Sequence, residues 1–514
     1  MARSRWIRSG LPLLGVSASL LTAAAPGRAL ETIVLQLPLV QTTFTVKVGE
    51  LRDPARLMAG NSDLAELDKA SNGAIGRQMT SLFSRPLPVQ TTAVARNLVG
   101  TPMLDQVLLL LSSLGEIDGM QGQQPDGQLI EQALNKAAAA PGGLTLVDAL
   151  EALPGQTVTV NLQALVAAID RLMQQQSQGL TLVKQGPAAT GSPSLAAAGP
   201  NPTVRTEQSL TVAHRAVPLP VVVIAPGRGG NGRLVAISHG LWDSPSSFEG
   251  WGRHLASHGY TVVLPRHPDS DRKQQQAMFA GKSPPPTPQE LLLRPKDVSA
   301  AIDAAGDGRL TLPAPVRTEA VAALGQSWGA TTVLQLGGAR TTAARLQRHC
   351  LNPKDPRRNL SWVLQCNFLN SANQGSIADP RVKAVVAVSP MLSLLFEPST
   401  SLQMNAQALV VSGSRDWVVP SGPEALRPLQ MARAAGGSGH RLVMAGGGDH
   451  FNLGSTYEDG GGPLRALLLS WVQAGLQAPT AAPGPGGSWL PATGWGDATL
   501  PLIDVSDRLS GLRF

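Results

Sequence analysis

Between residues 207 and 477 the chain repeats one pattern: a short unbroken apolar run, then a stretch able to form a helix. The runs are Val221-Val-Val-Ile, Leu234-Val-Ala-Ile, Thr261-Val-Val-Leu, Ala320-Val-Ala-Ala-Leu, Val382-Lys-Ala-Val-Val-Ala-Val, Ala408-Leu-Val-Val and Arg441-Leu-Val-Met. A strand with one wet face would alternate polar and apolar residues, and these do not. Runs buried on both faces belong to strands sandwiched between helix layers. The pattern predicts an α/β fold, a mostly parallel doubly wound sheet. In such sheets the chemistry collects at the carboxyl ends of the strands.

The whole chain has 514 residues, too many for one domain of roughly 100–200 residues. Two Pro/Gly/Ala/Ser-rich runs, Gln185 to Thr206 and Ala478-Pro-Thr-Ala-Ala-Pro-Gly-Pro-Gly-Gly, have the composition of linkers. They divide the chain into a domain at 30–180, a linker at 181–206, a catalytic domain at 207–477 and a tail at 478–514. The tail carries Leu500-Pro-Leu-Ile-Asp-Val, apolar enough to dock on the body. The first domain opens with strand-like Thr32-Ile-Val-Leu-Gln-Leu and Thr43-Phe-Thr-Val-Lys-Val and is otherwise mainly helical. Its best helix starts at Asn161, a natural N-cap, and repeats Leu162, Leu165, Val166, Ile169, Leu172 and Met173 at helical spacing. The block holds no His, and it reads as a packing or lid module.

Residues 1–29 read as a cleaved secretory signal: Arg3, Arg5 and Arg8, the mainly apolar Leu11 to Ala25, then Gly27-Arg28-Ala29. The apolar run is shorter than the roughly 20 residues of a spanning helix, although a retained anchor remains the alternative. The expected location is secreted or periplasmic. The net charge of +7 arises from 42 Lys+Arg against 35 Asp+Glu with no concentrated basic stripe, so nucleic-acid binding is not expected. Two cysteines rule out a four-thiolate metal site. Cys350 and Cys366 lie close in sequence, and in an oxidising compartment they are candidates for a disulfide, the alternative being two buried thiols.

Gly325-Gln-Ser-Trp-Gly follows the run Ala320–Leu324 and precedes a helix-compatible stretch. Glycines flanking Ser327 allow the tight strand-to-helix turn that lifts a nucleophile above a sheet. A base is then needed on a loop after the last core strand. His349 and His440 fail by position, leaving His450 in Gly446-Gly-Gly-Asp-His-Phe-Asn. Asp416, just past a strand, fits the order Ser, Asp, His. Asp449 is the rival, awkwardly adjacent to the base, and Asp379 lies at the wrong end of a strand. Backbone N–H groups of Trp328 and Leu241 are the candidate oxyanion donors. His239 reads as a brace for the Leu241 loop. No metal or cofactor motif accompanies these residues.

Ser238-His-Gly-Leu, Leu255-Ala-Ser-His-Gly-Tyr, Arg294-Pro-Lys-Asp-Val, Gly325-Gln-Ser-Trp-Gly and Gly448-Asp-His-Phe together resemble the platelet-activating-factor acetylhydrolase and dienelactone-hydrolase branch of the α/β-hydrolases. Secreted bacterial members with a helical N-terminal extension of unknown function are the most similar. The resemblance covers roughly residues 31 to 475. It implies the α/β-hydrolase fold, no cofactor, and a serine esterase using Ser327, Asp416 and His450, with Leu241 and Trp328 around the oxyanion. Dienelactone hydrolases proper use Cys, so Ser327 directs the expectation to carboxylic esters, as a small molecule or a lipid, with contact at a membrane surface left open. Trp242 stands where a second Gly is usual. Hydrolases of this fold often insert lids after the nucleophile helix, which gives Trp362, Val363 and Leu364 an expected role near an acyl chain. The alternatives are a non-catalytic binding protein on this scaffold, or a peptidase, which would usually carry a large upstream propeller.

Overall fold

Two sheets organise the protein. The structure is a computed structural model that describes residues 29–513, apart from 38–41, 88–90, 118–126, 140–143, 154, 353–354, 356, 374–376, 398–403, 437–438, 456–457, 459 and 478–488. Residues 1–28, and with them almost all of the expected signal, lie outside the described residues. Four strands, β1 (Thr32–Leu37), β2 (Thr42–Lys47), β3 (Gly115–Ile117) and β4 (Thr157–Asn161), form the N-terminal sheet in the order β2-β1-β4-β3. The N-terminal domain thus combines this small sheet with a larger number of helical residues. Its core gathers Leu30, Val48, Leu51, Leu57 and Val147.

The larger sheet contains β5 (Thr203–Leu210), β6 (Leu219–Pro226), β7 (Arg233–Ser238), β8 (Thr261–Pro265), β9 (Arg317–Gln326), β10 (Val382–Val388), β11 (Gln407–Gly413), β12 (Arg441–Ala445) and β13 (Leu502–Asp504). Their order is β13-β12-β11-β10-β9-β7-β8-β6-β5. From β8 to β12 neighbours are parallel, whereas β5, β6 and β13 pair antiparallel. Every apolar run of the sequence became one of these strands. One reading needs refinement: β6 is buried on both faces and still antiparallel. Helix cover on both sides, not strand direction, makes a run continuously apolar. The two faces carry separate cores, one around Trp328, Val333 and Val385, the other around Trp251, Leu324 and Trp471.

The expected boundaries shift. The helix from Asn161 continues through Gln185, past the boundary at 180, because Leu182 joins the core of the larger sheet. Its repeated apolar face does not follow: Leu165, Val166, Ile169 and Met173 are 40%, 54%, 51% and 62% exposed. The helix docks instead by its second half, where Gly179 lets it sit against Ser421 and Met444. β5 starts at Thr203, inside the expected linker, and its polar residues fit an edge strand with one wet face. Linker and tail also order one another. Ala189 N–H donates to Leu502 O at 2.8 Å, Ser192 N–H to Gly494 O at 2.8 Å, and Leu502 and Ile503 bury fully beside β12.

Candidate active site

Ser327 stands between β9 and the helix Trp328–Leu336, with φ +55° and ψ −120°. That left-handed backbone is costly for a residue with a Cβ, and the surroundings impose it. A Cβ on Gly325 would lie 2.2 Å from Gly329 O, and one on Gly329 would lie 2.0 Å from Ser238 O. Neither position admits any other residue, so strand, turn and helix close into one tight hairpin.

Ser327 Oγ lies 3.2 Å from His450 Nε2, and His450 Nδ1 lies 3.0 Å from Asp416 Oδ2. The carboxylate fixes the tautomer: Nδ1–H donates to Asp416, which leaves Nε2 free to accept from the hydroxyl. Asp416 is fully buried and its other oxygen accepts from Val418 N–H at 3.0 Å and Val419 N–H at 2.7 Å. Asp449 is occupied elsewhere, accepting from the N–H groups of Phe451 and Asn452 in its own turn. Asp379 pairs with Arg381 at the opposite end of β10.

The loop after β7 touches this group, since a Cβ on Gly240 would lie 3.4 Å from Ser327 Cβ. Trp242 takes φ +58° in place of glycine, its N–H donating to Ser270 O at 2.8 Å and its indole N–H to Gln274 Oε1 at 2.8 Å. Among the described residues, the N–H groups of Leu241 and Trp328 donate to nothing. The first N–H groups of a helix have no partner within it, which leaves Trp328 free to serve an anion.

Sequence reasoning missed several supports. Gln326 donates to His450 O at 3.0 Å, and Gln176, on the helix Leu162–Gln185, donates to Asp416 O at 3.0 Å. Behind the Leu241 loop lies a buried polar cluster. His267 N–H donates to His239 Nε2 at 3.1 Å, His239 Nδ1–H donates to Gly240 O at 2.8 Å, and Arg294 donates to His239 O. His239 is thus a brace, held neutral by burial and by the neighbouring His267 and Arg294. The motif Arg294-Pro-Lys-Asp-Val was the visible trace of this cluster. Asp297 accepts from Arg215, His214 and His267. Burial pushes its carboxyl up, but these donors outweigh burial and hold it well below the usual range.

Cys350 and Cys366 form a disulfide with Cα atoms 5.6 Å apart. The expected lid does not materialise around it. Trp362 and Val363 are buried, because the helix Leu360–Cys366 is covered by the helix Pro102–Ser112 of the N-terminal domain. Gln106 on that helix donates to Cys350 O at 3.1 Å and accepts from Arg358 at 3.0 Å. The apolar groups beside His450 are instead Phe451, 72% exposed, and Trp417, 48% exposed, with ring centres 6.3 Å apart.

Strand order, turn and loop positions together define the α/β-hydrolase fold, with a serine at its nucleophile turn. A family model described as an alpha/beta hydrolase of unknown function (DUF1400) matches residues 29–161. The match falls on the N-terminal domain, which contains none of the residues around Ser327. No curated protein matches the chain.

Proposed function

We propose that this protein is a serine hydrolase of carboxylic esters, acting from outside the cytoplasm, in the manner of the platelet-activating-factor acetylhydrolase and dienelactone-hydrolase branch. The continuous chain Ser327, His450, Asp416 at a left-handed serine carries the proposal. His450 Nε2 takes the Ser327 proton as Oγ attacks the ester carbonyl. Leu241 and Trp328 N–H groups hold the oxyanion, each worth on the order of 10²–10³ in rate. Asp416 stabilises the imidazolium, which then protonates the leaving alcohol. Water, activated by the same imidazole, attacks the acyl group on Ser327 and releases the acid.

Ser327 is 4% exposed and His450 7%, so access to Oγ is narrow and favours short acyl groups. Phe451 and Trp417 offer the alcohol part an apolar rest, which suits lipid esters. The Cys350–Cys366 bond supports an oxidising compartment. Hydrolysis of p-nitrophenyl esters of increasing acyl length, beside a peptide substrate, tests the reading. Turnover falling with chain length and absent on the peptide is expected. Peptide cleavage without ester cleavage would overturn it.

A further inference from the structure

We propose that a second site, distinct from Ser327, binds an organic phosphate in a cationic pocket between the helix Leu162–Gln185, the disulfide insertion and the residues after β11. The pocket has a volume of about 470 Å³, within the roughly 300–1,000 Å³ of small-molecule sites. Arg171, Arg345, His349, Arg357, Arg427 and Arg513 line it, no carboxylate among the described residues does, and it shares no residue with the Ser327 group.

The nearby acids leave much of this charge unbalanced. Asp355 is engaged by Arg357 at 2.9 Å, and Glu397 lies 3.9 Å from Arg345. Glu424 sits behind the wall, accepting from Ser393 Oγ and from the N–H groups of Leu392 and Ser393. Among the described residues, neither Arg171 nor Arg427 has an ion-pair partner. Burial pulls the Arg345 guanidinium below its ordinary value; Glu397 opposes this, while Arg427 and Arg357 push further down. Like charges held this close are a standing cost that an anion relieves.

Guanidinium forks match phosphate oxygens in geometry as well as charge. The two guanidinium groups without a partner, Arg171 and Arg427, together suit a dianion better than a monoanion such as a carboxylate. The remaining wall includes Trp362, Leu394 and Met431, so the phosphate is expected to carry an apolar body. A soluble phosphomonoester and a phospholipid headgroup share that chemistry.

The test compares the wild-type protein with R171Q/R427Q, whose removed side chains lie outside the machinery around Ser327. Thermal unfolding is followed against inorganic phosphate, with sodium chloride at matched ionic strength as control. Phosphate should raise the wild-type Tm beyond the chloride control, as a ligand of the native state does. The double variant should bind about tenfold or more weakly, while keeping the wild-type circular dichroism spectrum and a cooperative thermal transition as proof of folding. Sedimentation with phosphatidylcholine vesicles, with and without phosphatidic acid, separates the sources. Variant-sensitive binding to the acidic vesicles assigns a lipid headgroup, and a phosphate shift without vesicle binding assigns a soluble ligand. Neither effect, or equal effects in both proteins, would overturn the proposal. Because none of these binding measurements requires catalysis, a failed esterase assignment leaves the result interpretable.

Discussion

Among the described residues, the domain of the larger sheet contains two Ser-His-Asp chains. In one, Ser327 Oγ, His450 and Asp416 are linked at 3.2 and 3.0 Å. In the other, Ser238 Oγ lies 2.9 Å from His267 Nε2, and His267 Nδ1 lies 2.8 Å from Asp297. By distance alone the second is the better made. Ser238, His267 and Asp297 are all sealed from solvent, and burial together with Arg294 pushes the His267 pKa down to about 3. Asp297 is further tied to Arg215 at 2.6 Å. The second chain has no strained serine and no way in, and it braces the loop that carries Leu241. Hydrogen-bond geometry is thus a poor mark of chemistry; backbone strain, access and free N–H donors separate the two.

Substitution of the two serines should break the comparison most sharply. S327A is expected to lower kcat for ester hydrolysis by about 10⁶-fold, and S238A by less than tenfold. A tenth of wild-type turnover surviving in S327A would end the case for a serine nucleophile. For the acids, D416N should cost about 10⁴-fold in kcat through the wrong tautomer. D449N, whose carboxylate only caps its turn, should cost far less; reversed effects would reassign the acid.

D297N should act on stability instead. It leaves Arg215 buried with one partner fewer, a loss of about 3–5 kcal/mol, read by urea denaturation. A variant of full stability and lost turnover would make the second chain catalytic after all.

The most gradual effect is in pH. Burial pushes His254 down to about 4 and His267 to about 3, against an ordinary 6.5. The unfolded chain then takes up protons that the folded chain refuses. Stability is complete above pH 6.5 and drains as pH falls, through about 4 for His254 and about 3 for His267. The slope approaches about 1.4 kcal/mol per pH unit for each histidine. Denaturation across that range should flatten in H254Q, and an unchanged slope would disprove the burial argument.

Much of this was legible in the sequence where local sterics decide. Gly325 and Gly329 stand where any side chain would collide with backbone, so the turn at Ser327 announces itself. Both-face burial likewise exposes β6 to β12. The second chain was not legible, because Ser238, His267 and Asp297 meet only through the crossing of β7, β8 and a distant helix. Asn161–Gln175 misled for a different reason: helical periodicity reports a helix, but the partner it packs on was set by Gly179 and Leu182 beyond the pattern. The tail carried little strand signal, since β13 has only three residues.

β13 also makes the loop around His450 depend on a segment translated well after it. The loop bearing His450 leaves β12, and Gly446 N–H at its base donates to Pro501 O at 2.7 Å, while Val505 N–H donates to Leu442 O at 2.9 Å. A ribosome that stalls after Gln477 has already made Ser327, Asp416 and His450, yet β12 is then a bare edge open to other chains. Only residues 501–505, made later, fasten the histidine's anchor and seal that edge. A truncated product should therefore hydrolyse esters poorly and aggregate, and adding back a peptide spanning residues 489–514 should restore activity if the clasp is what it lacks.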